Sequence, residues 1–296
     1  MAVDPPVARL DEEIAGLDAL DALRTEARPP RLPAIWSATW PKLMAVGAFL
    51  LLWEVIVWTG WKREEVLPGP GTALGEVWEI AQSSRFWDAV ATTMRRAVVG
   101  YAMALTVGIV LGFAISRSTV MRRAFGSFLT GLQSMPSVAW FPLAVAVFGL
   151  FSDAPILFVV VLGAAPSIAN GLISGVDHIP PLLLRAGKVM GARGLASYRH
   201  VVMPAALPGF VAGLKQGWAF SWRSLMAGEL IVNIASKTSV GSELRFAQDL
   251  ADGPAILAWM LVIFTVGVVV DIALFGTVDR RIRQRRGLIE VDAAAV

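Results

Sequence analysis

The chain has 296 residues, 56% hydrophobic and only 17% charged, with a mean hydropathy of +0.63; a water-soluble domain of this length would have to expose part of that apolar surface. The net charge of +3 and isoelectric point near 9.6 do not point to nucleic acid, because the basic residues sit between apolar segments, where they act as a membrane-orientation signal. Without cysteine, disulfides, thiolate chemistry and cysteine-ligated metal are excluded, and His178 and His200 have no partner at ligand spacing, so no metal site is expected.

Residues 1–42 form a polar N-terminal tail, with Pro5-Pro6 at one end and Pro29-Pro30 and Pro33 at the other. Between them Leu10, Ile14, Leu17, Leu20 and Leu23 recur every three or four residues, which predicts a short amphipathic helix. The first apolar run starts near Leu43, behind this long tail, so it reads as a retained helix and not as a cleavable signal peptide. Six apolar spans follow, at roughly 43–60, 97–116, 124–149, 154–175, 205–234 and 255–278, each near or above the ~20 residues needed to cross a bilayer. A membrane domain over 43–279 and a basic tail over 280–296 complete the chain.

Lys and Arg fix the orientation. Arg9, Arg24, Arg28, Arg31 and Lys42, then Arg117, Arg122 and Arg123, then Arg185, Lys188, Arg193 and Arg199, and finally Arg280, Arg281, Arg283, Arg285 and Arg286 all fall on one side. That makes seventeen, against Lys62, Arg63, Arg85, Lys237 and Arg245 on the other. The excess marks the cytoplasmic side, so both termini are expected there. The first outer loop, Trp61 to about Arg96, is broken at Leu67-Pro68-Gly69-Pro70-Gly71; Thr72 is expected to cap a surface helix running through Trp78 and Ile80.

The spans carry interruptions. Ser134-Met135-Pro136 and Phe141-Pro142 fall inside the third, and Pro166 inside the fourth. Proline removes a backbone donor, which lipid tolerates only where protein or water supplies a replacement. Each is read either as a break beside a transport pathway or as a packing kink. The fifth span holds Lys215, Arg223 and Glu229. Lys215, Trp222 and Glu229 are seven apart and share one stripe, which predicts an interior-facing row. Arg223 and Glu229, six apart, point different ways and are not expected to pair. Charges at this depth are costly and face a cavity or a partner. Arg96 or Arg223 would give an anion a favourable path, or these charges pair structurally.

The fourth loop, about 176–204, is the longest on the basic side and reads Leu182-Leu183-Leu184-Arg185-Ala186-Gly187-Lys188-Val189-Met190-Gly191-Ala192-Arg193-Gly194. This predicts a short helix ended by glycines, with Leu183, Ala186 and Met190 on one face. Such a helix can lie in a groove of a soluble partner or pack on its own protein.

The loop resembles the E-A-A-x3-G-x9-I-x-L-P loop of binding-protein-dependent ABC importer permeases. Ala186, Gly191 and Pro204 match; Val201 and Met203 replace the Ile and Leu; Arg185 stands for the usual Glu and Gly187 for the second Ala. The stretch Gln133-Ser134-Met135-Pro136-Ser137-Val138-Ala139-Trp140-Phe141-Pro142-Leu143, and Trp218 to Arg223 followed by Ala227-Gly228-Glu229-Leu230, are similar to the nitrate, sulfonate and taurine branch, most nearly an aliphatic sulfonate permease. The resemblance runs from about 67 to 287.

It implies an all-α membrane fold of six transmembrane helices, the type I ABC importer permease. It also implies a coupling loop docked on an ATPase through Leu183, Arg185, Ala186, Gly187, Met190, Gly191, Ala192 and Pro204. Ser134, Met135, Pro136, Arg96, Lys215, Trp222, Arg223 and Glu229 are the pathway candidates. The implied partners are an ATPase dimer, which carries ATP and Mg, an external solute-binding protein and a second permease copy, a homodimer being simplest. Surrounding lipid completes the set. No cofactor is expected in this chain, which lacks a G-x-x-x-x-G-K-[ST] phosphate loop. No nucleophile–base pair, metal cluster or carboxylate dyad suggests an enzyme. A gradient-driven secondary transporter stays open as the alternative, and solutes such as taurine, nitrate, bicarbonate or a thiamine precursor stay open beside sulfonates.

Overall fold

The computed structural model describes residues 31–232 and 237–278, and every regular element within them is helical. The amphipathic stretch read at 10–23 and the basic tail from 280 lie outside the described residues. The chain divides between Trp61 and Lys62 into two compact units.

The first unit contains helix α1 (Arg31–Trp58), which begins well before Leu43, so the last part of the expected polar tail is helical. Its apolar stretch, Thr39–Trp58, is 20 residues long, enough for a ~30 Å hydrocarbon core. Leu43, Phe49, Leu51, Leu52 and Val55 are exposed around its circumference, the pattern of a span that faces lipid.

The second unit runs through α2 (Pro70–Ala81), α3 (Ser84–Ser116), α4 (Thr119–Ser134), α5 (Phe141–Phe148), α6 (Ala154–Asp177), α7 (Pro181–Val189), α8 (Met203–Ile231), α9 (Val240–Asp249) and α10 (Gly253–Val270). The helix starts follow local chemistry. Ser83 accepts from the Phe86 N–H and Ser118 from the Met121 N–H, Ser239 and Ser242 form a reciprocal capping box, and Asp252 accepts from the Ala255 N–H, each satisfying an orphan donor. At α2 the expectation fails: Gly69 occupies the cap, Pro70 opens the helix, and Thr72 lies within the first turn with its hydroxyl directed at Glu64. Proline at the first helical position needs no N–H, so no side-chain cap is required.

Helix α6 is central, packed on one side by α8 and on the other by α3. Small residues at four-residue spacing make both contacts. On α6, Gly171 and Gly175 face Gly213 and Gly209 of α8, and Gly217 packs against Ile168. A Cβ on Gly213 would stand 2.5 Å from the Gly171 Cα, and one on Gly209 2.6 Å from the Gly175 Cα. On α3, Gly100, Gly108 and Gly112 receive Val160, Ile168 and Ala169 of α6; a Cβ on Gly108 would come within 2.7 Å of the Ile168 Cβ. Helices in lipid gain little from apolar burial against each other, and such seams bring backbones into close van der Waals contact instead.

Helices α1, α3, α6 and α10 with its π-helical continuation to Gly276 are each long and apolar enough to cross a membrane. The third expected span is two helices, α4 and the Ser137–Phe148 segment, bent by 100°. Met135 and Pro136 are extended, and Pro142 starts α5. Pro166, by contrast, does not interrupt α6, which continues through it for 24 residues; one lost hydrogen bond is absorbed where neighbours hold the helix on two sides. The fifth expected span is α8, 29 residues long. Lys215, Gln216, Arg223 and Glu229 dilute its apolarity, and it is placed in the bundle by the glycine seam. Helix α3, at 33 residues, is about 50 Å long, so the last third of the expected outer loop up to Arg96 is its first turns. Around those turns α2, α9 and α10 gather on Phe86, Val240, Leu244, Trp259 and Val262, with Phe86 and Trp259 stacked at 5.7 Å.

Candidate functional site

Three assemblies hold the residues singled out in the sequence. The first is the α6–α8 connection. α7 ends in a Schellman motif: the Ala192 N–H donates to the Gly187 carbonyl at 2.9 Å and the Gly191 N–H to that of Lys188 at 3.1 Å, with Gly191 left-handed at φ +86°. Glycine adopts that conformation without a Cβ penalty. Gly187 is buried because Val201 covers it; a Cβ there would lie 2.7 Å from a Val201 methyl, which accounts for glycine where the family pattern has alanine. The other face is open. Leu182, Leu183, Val189, Met190 and Leu195 are all exposed, Val189 and Met190 by more than 85%, and Arg185 and Ala186 are exposed beside them, while Ala192 is half-buried. Pro204 sits in the first turn of α8. This apolar face is not packed on its own chain among the described residues.

The second assembly is a cavity of about 290 Å³ between the α4/α5 break and α8. Ser134, Met135 and Pro136 line it together with Arg223, joined by Gln133, Ser137 and Ser224. The Arg223 guanidinium donates to the Ala219 carbonyl at 3.2 Å and rests 4.6 Å above the Phe220 ring. Among the described residues no carboxylate pairs with it. The Gln133 side-chain nitrogen is buried without a hydrogen-bond partner. A free cation, an amide and serine hydroxyls therefore converge on a space opened by the helix break.

The third assembly takes the remaining charges away from the cavity. Glu229 is 1% exposed and Arg96 3%. Arg96 bonds Glu229 at 2.9 Å and Asp153 at 2.8 Å, and Asp153 also holds Arg95 and Lys237. Glu229 further accepts from the Thr93 hydroxyl and the Gly241 N–H. Burial raises the Asp153 carboxyl, but the hydrogen bond from Lys237 and the charge of Arg96 outweigh it and hold the group below its usual range. The expected interior row of Lys215, Trp222 and Glu229 meets neighbouring helices in the structure. Lys215 pairs with Asp271 at 3.2 Å, Trp222 packs on Trp218 and over Gly267, and Glu229 is tied to α3 and α9. These side chains face neighbouring helices because those helices carry the matching groups. Arg96, likewise, is buried and tied to Glu229 and Asp153.

Gln133 and Ser137 lie in the Gln133–Leu143 motif, and neither they nor Ser224 are among the pathway residues expected from the sequence. Their signal was position, one residue either side of Ser134–Pro136 or beside Arg223. Asp153 and Thr93 gave no sequence signal, since pairing across helices cannot be read from spacing.

Residues 104–284 match the family described as "Binding-protein-dependent transport system inner membrane component". The chain belongs to this family. The permease is 25% identical over 268 residues to the taurine transport system permease protein TauC of Escherichia coli, covering 88% of this chain and 96% of that protein. To the nitrate import permease protein NrtB of Leptolyngbya laminosa it is 26% identical over 230 residues, 78% of this chain and 75% of that one. Its fold is that of the crystal structure of an amino acid ABC transporter with histidines, with a TM-score of 0.56 at 12% identity over 69% of this chain and 97% of that chain. The permease is therefore an inner-membrane, multi-pass subunit of the type I ABC importer fold, in the nitrate, sulfonate and taurine branch. Family membership implies an ATPase and a solute-binding protein as partners and removes the gradient-driven transporter from consideration.

Proposed function

We propose that this permease imports an anion, an aliphatic sulfonate foremost, with energy from ATP and Mg bound on a separate ATPase pair. It crosses the membrane six times, α8 included, with both termini cytoplasmic, and works as a homodimer. The observation that carries the anion reading is Arg223. An uncompensated charge inside a membrane protein costs several kcal/mol, and here it lines the cavity beside the donor of Gln133. A sulfonate, with three acceptor oxygens, suits that donor set; nitrate and bicarbonate share the net negative charge, and taurine presents the same sulfonate beside an ammonium group. Coupling runs through the exposed face of α7, which lies in a groove of the ATPase. ATP favours the closed ATPase pair and so biases the permease toward its outward-open state.

The reading is tested on the complex isolated through a tag on the permease and reconstituted with its own external binding protein. ATP hydrolysis is recorded with alkanesulfonates, taurine, nitrate, bicarbonate or a thiamine precursor. Stimulation by an alkanesulfonate supports it; stimulation only by a neutral or cationic solute overturns it. Arg223→Ala is expected to weaken anion transport by about ten- to a hundredfold, the worth of a charge-assisted hydrogen bond, with unchanged assembly. Arg223→Lys should fall between, since it keeps charge but loses the planar fork. Gly191→Val places a branched residue at φ +86°, a cost of about 1–2 kcal/mol borne by the loop alone. The expected result is loss of co-purifying ATPase with an unaltered melting temperature of the permease; full ATPase recovery would refute docking through this loop.

A further inference from the structure

A second cavity, of about 200 Å³, opens between α3, α6 and the start of α8, and it is unlike the first. Its walls are apolar: Ile109 and Phe113 from α3, Leu172 and Val176 from α6, Val202 and Phe210 from the α8 side. Along α3 it extends from Ile109 to Ser116, about 10 Å at the rise of a helix. A volume of about 200 Å³ over that length is far less than a helix ~10 Å or more across would fill and suits a single flexible hydrocarbon chain.

Only one end of the slot is polar. There Ser116 and Tyr198 line it; Arg117, next to Ser116 and just outside the lining, lies 5.5 Å over the Phe113 ring, and Phe113 in turn meets Tyr198 at 6.3 Å. Among the described residues Arg117 has no carboxylate partner and the Tyr198 hydroxyl no hydrogen-bond acceptor. The rim therefore offers a guanidinium and a phenol, both able to donate to a phosphate oxygen, above a tube that accepts only carbon. Arg117 also belongs to the arginine-rich side of the chain, with Arg122 and Arg123 close to it in sequence and Arg193 and Arg199 flanking Tyr198. Basic residues at a membrane surface draw anionic lipid. An unpaired cation at the mouth of an apolar slot matches one chemical class, an amphiphile with an anionic head.

We infer that this slot binds one acyl chain of an anionic phospholipid, with its phosphate held by Arg117 and Tyr198. Part of the far wall lies ahead of the α8 span. Tyr198 and Val202 lie in the π-helical turn that returns the α7 loop to the membrane, and Val201, next to them, covers Gly187. A bound chain thus braces the return limb of the segment that meets the ATPase, and anionic lipid sets how firmly that segment is held. The effect on coupling rests on the docking reading above; the binding itself does not.

The test uses the complete complex in neutral detergent, titrated with phosphatidylglycerol or phosphatidylcholine and read by native mass spectrometry. Retention of phosphatidylglycerol over phosphatidylcholine by about fivefold is expected, the scale set by one basic residue at a membrane surface. Arg117→Gln should abolish that preference, and Leu207→Trp, which fills the slot from a partly exposed wall position, should lower retention of both lipids. Equal retention of the two lipids by the unaltered complex, or a preference that survives Arg117→Gln, would overturn the site and leave only annular lipid. The chain has no cysteine, so a Leu207→Cys variant reports cleanly on any other occupant. A disulfide between two permease copies would show a subunit interface there and also overturn the inference. If binding is seen but ATP hydrolysis is equal in phosphatidylglycerol and phosphatidylcholine nanodiscs, the lipid site stands and its link to coupling falls.

Discussion

Gly213→Leu is expected to destroy the folded permease, with loss of a monodisperse peak in detergent and no cooperative melt. At this point α6 and α8 meet backbone to backbone. A Cβ on Gly213 would stand 2.5 Å from the Gly171 Cα and 3.1 Å from the Ser167 carbonyl oxygen. No side chain is there to swing aside, so relief requires the two helices to part, and parting undoes the Gly209–Gly175 contact a turn away. Extra methylenes in a packed core cost about 1–3 kcal/mol where side chains can adjust; a leucine against main chain exceeds that. Gly213→Ala grades the effect and should lower the melting temperature while leaving a folded protein. Gly75→Ala on α2, whose added Cβ meets nothing within 4 Å, should be neutral or slightly stabilising, because alanine is the better helix former. A Gly213→Leu protein that melts like the parent would mean that α6 and α8 do not pack through this seam.

Glu229→Ala carries the second-largest effect. The carboxylate is buried with Arg96, Thr93 and the Gly241 N–H around it, and its removal strands a guanidinium and two further donors. Breaking a buried pair costs about 3–5 kcal/mol; here Asp153 still holds Arg96, which places the loss at the lower end. The consequence is local at first, as α9 loses its anchor on α8 and Val240 and Leu244 come away from Phe86 and Trp259. Glu229→Gln, which keeps the shape and one acceptor oxygen while its NH2 replaces the other, should cost less. Yield and melting temperature should fall in the order Gln then Ala, with transport per folded complex largely retained. Normal melting with abolished transport would reverse the assignment and make Glu229 a pathway residue.

The division between sequence and tertiary structure follows the range of the forces involved. Hydropathy and helix punctuation act within a few residues, so the apolar spans, the break at Met135–Pro136, the glycine-ended α7 helix and the family were legible from the chain alone. The same holds for the exclusion of cysteine chemistry. Spacing likewise separated Arg223 from Glu229, since residues six apart on a helix face different ways. Which neighbour each of them meets is a long-range question. Glu229 found Arg96, well over a hundred positions away, whereas Arg223 was left facing a cavity that exists only because α4 and α5 diverge. Pro166 carries the same local signal as Pro136, yet α6 continues unbroken through it, since α3 and α8 clamp that helix through small residues. The glycine spacings that make the clamp were in view throughout, but a glycine at every fourth position acquires meaning only when a second helix presents its own glycine opposite.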